Sequence, residues 1–102
     1  MSRIEDLRQR IDDLDRRLVE LLNERAGCAV AIGHEKRALG LAIYQPEREA
    51  QVLGNVRRHG VVIQGPLGGE ALTRLFERII DEARRLEREA SGTRDERQAT
   101  QE

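Results

Sequence analysis

Charged side chains that fall where helical spacing calls for apolar ones are the first place to look for chemistry. Near the N-terminus, Ile4, Leu7, Ile11, Leu14, Leu18 and Leu21 alternate at three and four residues, a narrow apolar seam. Continued, the count reaches 25, 28 and 32, and position 25 is Arg25. A guanidinium there is costly unless it meets an anion or a carboxylate. The alternatives are a structural ion pair or an arginine that snorkels to water. Lys36 follows on the same face, about 20° around the axis and about 16 Å along it. The small residues between them, Ala26, Gly27, Cys28, Ala29, Ala31 and Gly33, either leave room for a ligand or let helices pack closely. Arg8 flanks the seam about 25 Å from Arg25, too far to share a small ligand on one helix.

Further along, Arg48 and Glu49 precede Val52, Leu53 and Val56, on or beside an inward face, or else in a solvated first turn. Glu87 lies four residues after Ala83, on the apolar face of a third helical segment, unless that helix end frays into water. Cations that converge on one cavity imply an anionic small molecule. The sequence carries no nucleophile–base pair, metal cluster or glycine-rich phosphate loop. The expected chemistry is therefore binding alone, or a reaction driven by shape and electrostatics, with no metal and no cofactor. His34 and His59 are isolated, and the single Cys28 allows no intrachain disulfide.

The totals narrow the class. Charged residues make up 36% and nearly cancel, for a net charge of -1, which argues against nucleic acid. Tyr44 and Phe76 are the only aromatics, so there is no stacking platform for bases. No apolar run approaches membrane-spanning length and no signal-peptide pattern opens the chain, so a soluble, cytoplasmic protein is expected. At 102 residues there is room for one domain but not for an enzyme plus a regulatory domain.

The elements that would position these residues are all α-helical. Ser2 and Glu5 read as a capping box. Asp6/Arg10, Asp12/Arg16 and Asp13/Arg17 are spaced i,i+4 for an exposed face. The seam runs through Cys28 and Ile32 to about Leu39, where Gly40 supplies a left-handed stop. A helix of about 36 residues, roughly 54 Å, cannot be covered by the rest of the chain and needs a partner chain. After a short loop, Pro46 suits the start of a second helix, expected to end near Arg58. His59–Gly69, with four glycines and Pro66, reads as a loop. A third helix is expected over about Glu70–Ala90, giving a domain over 1–90 and a disordered polar tail over 91–102. If two first helices pair antiparallel about residue 19 or 20, Arg8 of one chain lies level with residues between Arg25 and Lys36 of the other. Such a homodimer would assemble a shared site twice.

Taken in order, Arg8, Arg25, Lys36, Pro46-Glu-Arg48-Glu49 and Leu75-Phe-Glu-Arg-Ile-Ile80 resemble the all-α chorismate mutase family. The L-R-x-x-I-D-x-L-D start, the E-R-x₇-G-x₂-K block and P-E-R-E are specific together, and the likeness covers about residues 3–90. It implies an intertwined all-helical homodimer with two shared sites, isomerising chorismate to prephenate in aromatic amino-acid biosynthesis (the shikimate pathway), with a partner enzyme of that pathway as a further expectation. It implies that Arg8 of the neighbouring chain and Arg25 bind the two substrate carboxylates. Lys36 would bind a carboxylate and donate to the ether oxygen, Arg48 would shape the site, and Glu49 would accept from the ring hydroxyl. Glu87 would be the second donor to the ether oxygen.

The chain departs from that pattern at three positions. Gln45 stands where the family often has Asp, a better N-cap, and the contact expected there is through backbone. Ala83 replaces a small hydroxyl residue of some members. Glu87 stands where many bacterial members carry Gln, and must be protonated to donate. Two alternatives stay open: a mutase or pyruvate lyase acting on 4-amino-4-deoxychorismate or isochorismate, and a non-catalytic helical dimer or partner protein.

Overall fold

The structure, a computed structural model, describes residues 2–92. It is three helices: α1 (Arg3–Leu39), α2 (Pro46–Ile63) and α3 (Gly69–Ser91), with no strand among the described residues. No described helix is long and apolar enough to cross a membrane.

Each helix end has a local cause. Ser2 is the N-cap of α1, its hydroxyl accepting from the Glu5 backbone N–H at 3.1 Å. Gly40 ends α1 at φ 68°, a left-handed conformation that costs glycine little, with Leu41 N–H returning to Lys36 O at 2.9 Å. Pro46 opens α2 behind Gln45, whose side chain makes no cap hydrogen bond. The Gln45 carbonyl instead accepts from Arg48 and Glu49 backbone N–H at 3.1 and 3.2 Å. The missing side-chain bond agrees with the weaker cap expected at this position.

Two boundaries differ from the sequence expectation. α2 does not end near Arg58 but continues to Ile63, and the connection shrinks to residues 64–68. Gly60 is the reason. It is buried inside the helix, and a Cβ there would come within 2.6 Å of Leu72 Cδ1. The glycine lies inside the helix against the tip of Leu72 rather than stopping it. α2 ends at Gln64 in the left-handed region (φ 56°). At the C-terminus, Ser91 is the last residue of α3 and is buried, with Gly92 as its left-handed cap. The rest of the expected tail, residues 93–102, lies outside the described residues.

α3 packs against both α1 and α2, which make no close backbone approach to each other among the described residues. α1 meets α3 through Ala29, Gly33 and Lys36, all buried. This face is rotated from the counted seam, so Cys28 and Ile32, expected inside, are exposed. The seam itself is open to water: Ile4, Leu7, Ile11, Leu14, Leu18 and Leu21 are 36–61% exposed. Among the described apolar side chains of the single chain, only Ala29 and Ile80 are buried. On the outer face of α1, Arg16 pairs with Asp13, one turn back, rather than with Asp12.

Candidate active site

Lys36 sits in the last turn of α1, where the Gly33 backbone lies so close to α3 that a Cβ would meet Glu87 O at 2.6 Å. This approach draws the lysine stem under α3, leaving its side chain 10% exposed. An ammonium taken so far from water needs partners. It has two: Nζ donates to Ile43 O at 2.9 Å and to Glu87 Oε1 at 2.5 Å. An ammonium has three N–H donors, so one is left for a ligand. Glu87 is 15% exposed. The helix end does not fray there, and the expectation that Glu87 belongs to the inward face holds.

A second ion pair lies one turn back on α3. Arg84 reaches to α2, its Nε donating to Glu49 Oε2 at 3.0 Å and its terminal nitrogen to both carboxylate oxygens at 2.6 Å. The guanidinium lies over the Tyr44 ring, 5.0 Å from its centroid, and 3.8 Å from Asp81. The hydrogen bonds it donates to Glu49 push the guanidinium's affinity for its proton above the ordinary arginine value, against a smaller opposing effect of burial. The connection from α1 to α2 serves both pairs: Ile43 supplies the carbonyl for Lys36, and Tyr44 supplies the ring for Arg84.

The sequence-named residues are thus brought together only in part. Lys36, Glu87 and Glu49 converge around α3, with Gln45 half-buried at the start of α2 and Ala83 half-buried beside Arg84. Arg25 is half-buried with its guanidinium over the Phe76 ring of α3, 6.0 Å from the centroid. Arg48 is exposed and its guanidinium bonds Gln51 on the same helix, the solvated first turn rather than the inward face. Arg8 is exposed on α1, about 42 Å along the helix from Lys36, and takes no part in the single chain's constellation. An apolar cavity of about 390 Å³ between α2 and α3, lined by Val56, Gly60, Ile63, Leu72 and Phe76 among others, holds none of these charges.

Arg84 was not among the residues singled out from sequence. The signal was available: Ile80, Arg84, Glu87 and Ser91 follow one another at four, three and four, the same spacing that exposed Arg25. Ile80 and Ser91 are buried, so a charge at position 84 interrupts an inward face.

Chemically, the constellation offers an ammonium with a donor to spare, a carboxyl group beside it, and a carboxylate clamped by a guanidinium. It suits an anionic ligand with polar oxygens, held by fixed charges. The family model described as chorismate mutase type II matches residues 7–88. A bifunctional chorismate mutase/prephenate dehydratase of Pseudomonas aeruginosa is 40% identical over 91 residues, 84% of this chain and 24% of that protein. One of Neisseria gonorrhoeae is 44% identical over 81 residues, 79% of this chain and 21% of that protein. A chorismate mutase of Methanocaldococcus jannaschii is 29% identical over 58 residues, 57% of this chain and 59% of the other. The chain spans about a quarter of the length of the bifunctional relatives it matches.

Proposed function

This chain belongs to the type II chorismate mutase family, and we propose that it rearranges chorismate to prephenate by electrostatic and conformational catalysis. The observation that carries the reading is Lys36, a nearly buried ammonium held by Ile43 O and Glu87 with one N–H to spare. The rearrangement breaks a C–O bond and forms a C–C bond in one cyclic transition state. No proton need move and no covalent intermediate forms. Two things lower the barrier. The extended substrate must be held as a compact chair, which removes an entropic cost. Positive charge must stand where the ether oxygen gains negative charge.

Lys36 supplies the second, donating its remaining N–H to the ether oxygen. Glu87 uses Oε1 toward Lys36, and a proton on Oε2 would make it the second donor to the ether oxygen. Glu49 accepts from the ring hydroxyl. Arg25 and Arg8 grip the two carboxylates, Arg8 coming from a second copy of the chain. Arg48 turns in to close the site, while Gln45 and Ala83 line it.

The second copy is part of the proposal. Six aliphatic side chains of the α1 seam stand open, and a chain that buries so few apolar groups has little to offset its loss of conformational freedom. Antiparallel pairing of two α1 helices about residue 19 or 20 covers the seam and brings the partner copy's arginine at position 8 level with the stretch between Arg25 and Lys36. The bifunctional relatives support a partner enzyme that consumes prephenate, and a cytoplasmic setting follows from that metabolism. Co-elution with such an enzyme of the same organism on gel filtration checks the partnership, and separate elution counts against it.

The test of the function is the fall in chorismate absorbance on adding the purified chain, with products identified by chromatography. Prephenate is the expected product. No turnover at protein concentrations where the chain is dimeric overturns the reading.

A further inference from the structure

Arg84 has no part in that reading, yet it holds the group meant to recognise the ring hydroxyl. Both oxygens of Glu49 accept from its guanidinium, the two side chains are each 25% exposed, and the guanidinium carbon lies over the Tyr44 ring, 5.0 Å from its centroid. A bare carboxylate in a half-buried site favours a cationic donor, because a charge-assisted hydrogen bond is the stronger one. Glu49 is not bare. Its charge is matched by Arg84, and Asp81, the other acid near that guanidinium, is 55% exposed and screened by water.

Each carboxylate oxygen has two lone pairs. Arg84 sends two bonds to Oε2 and one to Oε1, which leaves Oε1 able to accept one more. A neutral O–H fits that vacancy. An ammonium placed there would stand about 5 Å from the guanidinium, with little net negative charge to reward it.

We propose that Arg84 is a specificity-determining residue that makes this site prefer a substrate with a neutral ring hydroxyl over the analogue bearing an ammonium at the same position. The inference rests on the assignment of Glu49 as the acceptor for that substituent. It separates chorismate from 4-amino-4-deoxychorismate, whose aliphatic amine is protonated at neutral pH.

The test compares kcat/KM for the two compounds in the full chain, in Arg84→Lys and in Arg84→Gln. Lysine keeps the charge and loses the fork, whereas glutamine loses the charge. Wild type and Arg84→Lys should both prefer chorismate, and Arg84→Gln should move the ratio about tenfold toward the amine, a difference of about 1.4 kcal/mol. Circular dichroism checks folding, and Arg84→Met, which retains the packing of the stem, replaces the glutamine variant should it fail to fold. An unchanged ratio in the uncharged variant overturns the inference, and so does a lysine variant that moves as far as glutamine. A wild type that turns over neither compound instead overturns the reading of the site on which the inference stands.

Discussion

Lys36 and Glu87 meet 51 residues apart in sequence, Nζ to Oε1 at 2.5 Å, and that contact joins the end of α1 to the last turns of α3. Both side chains are largely withdrawn from water, so each is the other's main compensation for lost hydration. Lys36→Met leaves the Glu87 carboxylate and the Ile43 carbonyl without their donor, and should cost about 2–4 kcal/mol. The double variant Lys36→Met, Glu87→Leu removes both charges and should regain most of that loss while staying inactive. Urea unfolding at one fixed protein concentration checks this. Costs that simply add would mean the pair contributes nothing as a pair.

Glu87 can donate a hydrogen bond only while it carries a proton, and glutamine donates at any pH. The kcat profiles of the parent chain and of Glu87→Gln should therefore differ in their response to pH. Superimposable profiles for the two proteins remove Glu87 from the reaction.

A site shared between chains makes a quantitative demand on mixtures. Arg8→Ala and Arg25→Ala should each be inactive. Random exchange makes half of the dimers mixed, each with one of two sites intact, so about a quarter of wild-type activity should return. No recovery after exchange verified by mass spectrometry argues for sites built within single chains.

Gly33 and Gly60 predict opposite tolerance of a methyl group. At Gly33 the new atom meets backbone, Glu87 O at 2.6 Å and Glu87 Cα at 2.9 Å, so α1 must back away from α3. Gly33→Ala should cost about 1–3 kcal/mol, more than the ~1 kcal/mol that alanine gains in a helix, and should disturb the neighbouring Lys36–Glu87 pair. At Gly60 the near atom is the tip of Leu72, which can rotate aside, so Gly60→Ala should be close to neutral. Equal melting temperatures for the two variants contradict this distinction.

Gln64 closes α2 with φ 56°. A residue with a Cβ is strained there by about 1 kcal/mol, and glycine is not. Gln64→Gly should raise stability by about that amount in thermal unfolding, with activity unchanged, and a fall in melting temperature refutes it.

The helices were legible because their signals are local. A serine cap, a seam of threes and fours and Gly40 define α1, while Pro46 starts α2. The end of α2 was not legible, since a glycine that admits a neighbouring helix and one that stops its own look alike until Leu72 is in place. The inward face of α1 was misjudged for a related reason. The aliphatic seam is the stronger periodic signal, but α3 packs on the small residues Ala29 and Gly33 beside it. At the site, Lys36, Glu49 and Glu87 stood out as charges on apolar faces. Arg84 obeys the same rule yet sits in a run of charges from Asp81 to Arg85, where one inward member does not announce itself. Arg8 lies about 42 Å along α1 from Lys36 and joins the others only in the proposed dimer, which single-chain geometry does not contain.

α3 carries both of its site charges on one rod. Arg84 and Glu87 are three residues apart, about 4.5 Å along the axis, one gripping α2 and the other α1. The spacing of these two anchors is therefore cut into the pitch of a single helix. Sliding or tilting α1 against α2 leaves the Arg84–Glu87 spacing unchanged, but adding or deleting one residue between positions 84 and 87 turns one end by about 100° and parts it from its mate. Evolution could retune the flanking helices gradually, but this stretch of α3 changes in whole steps.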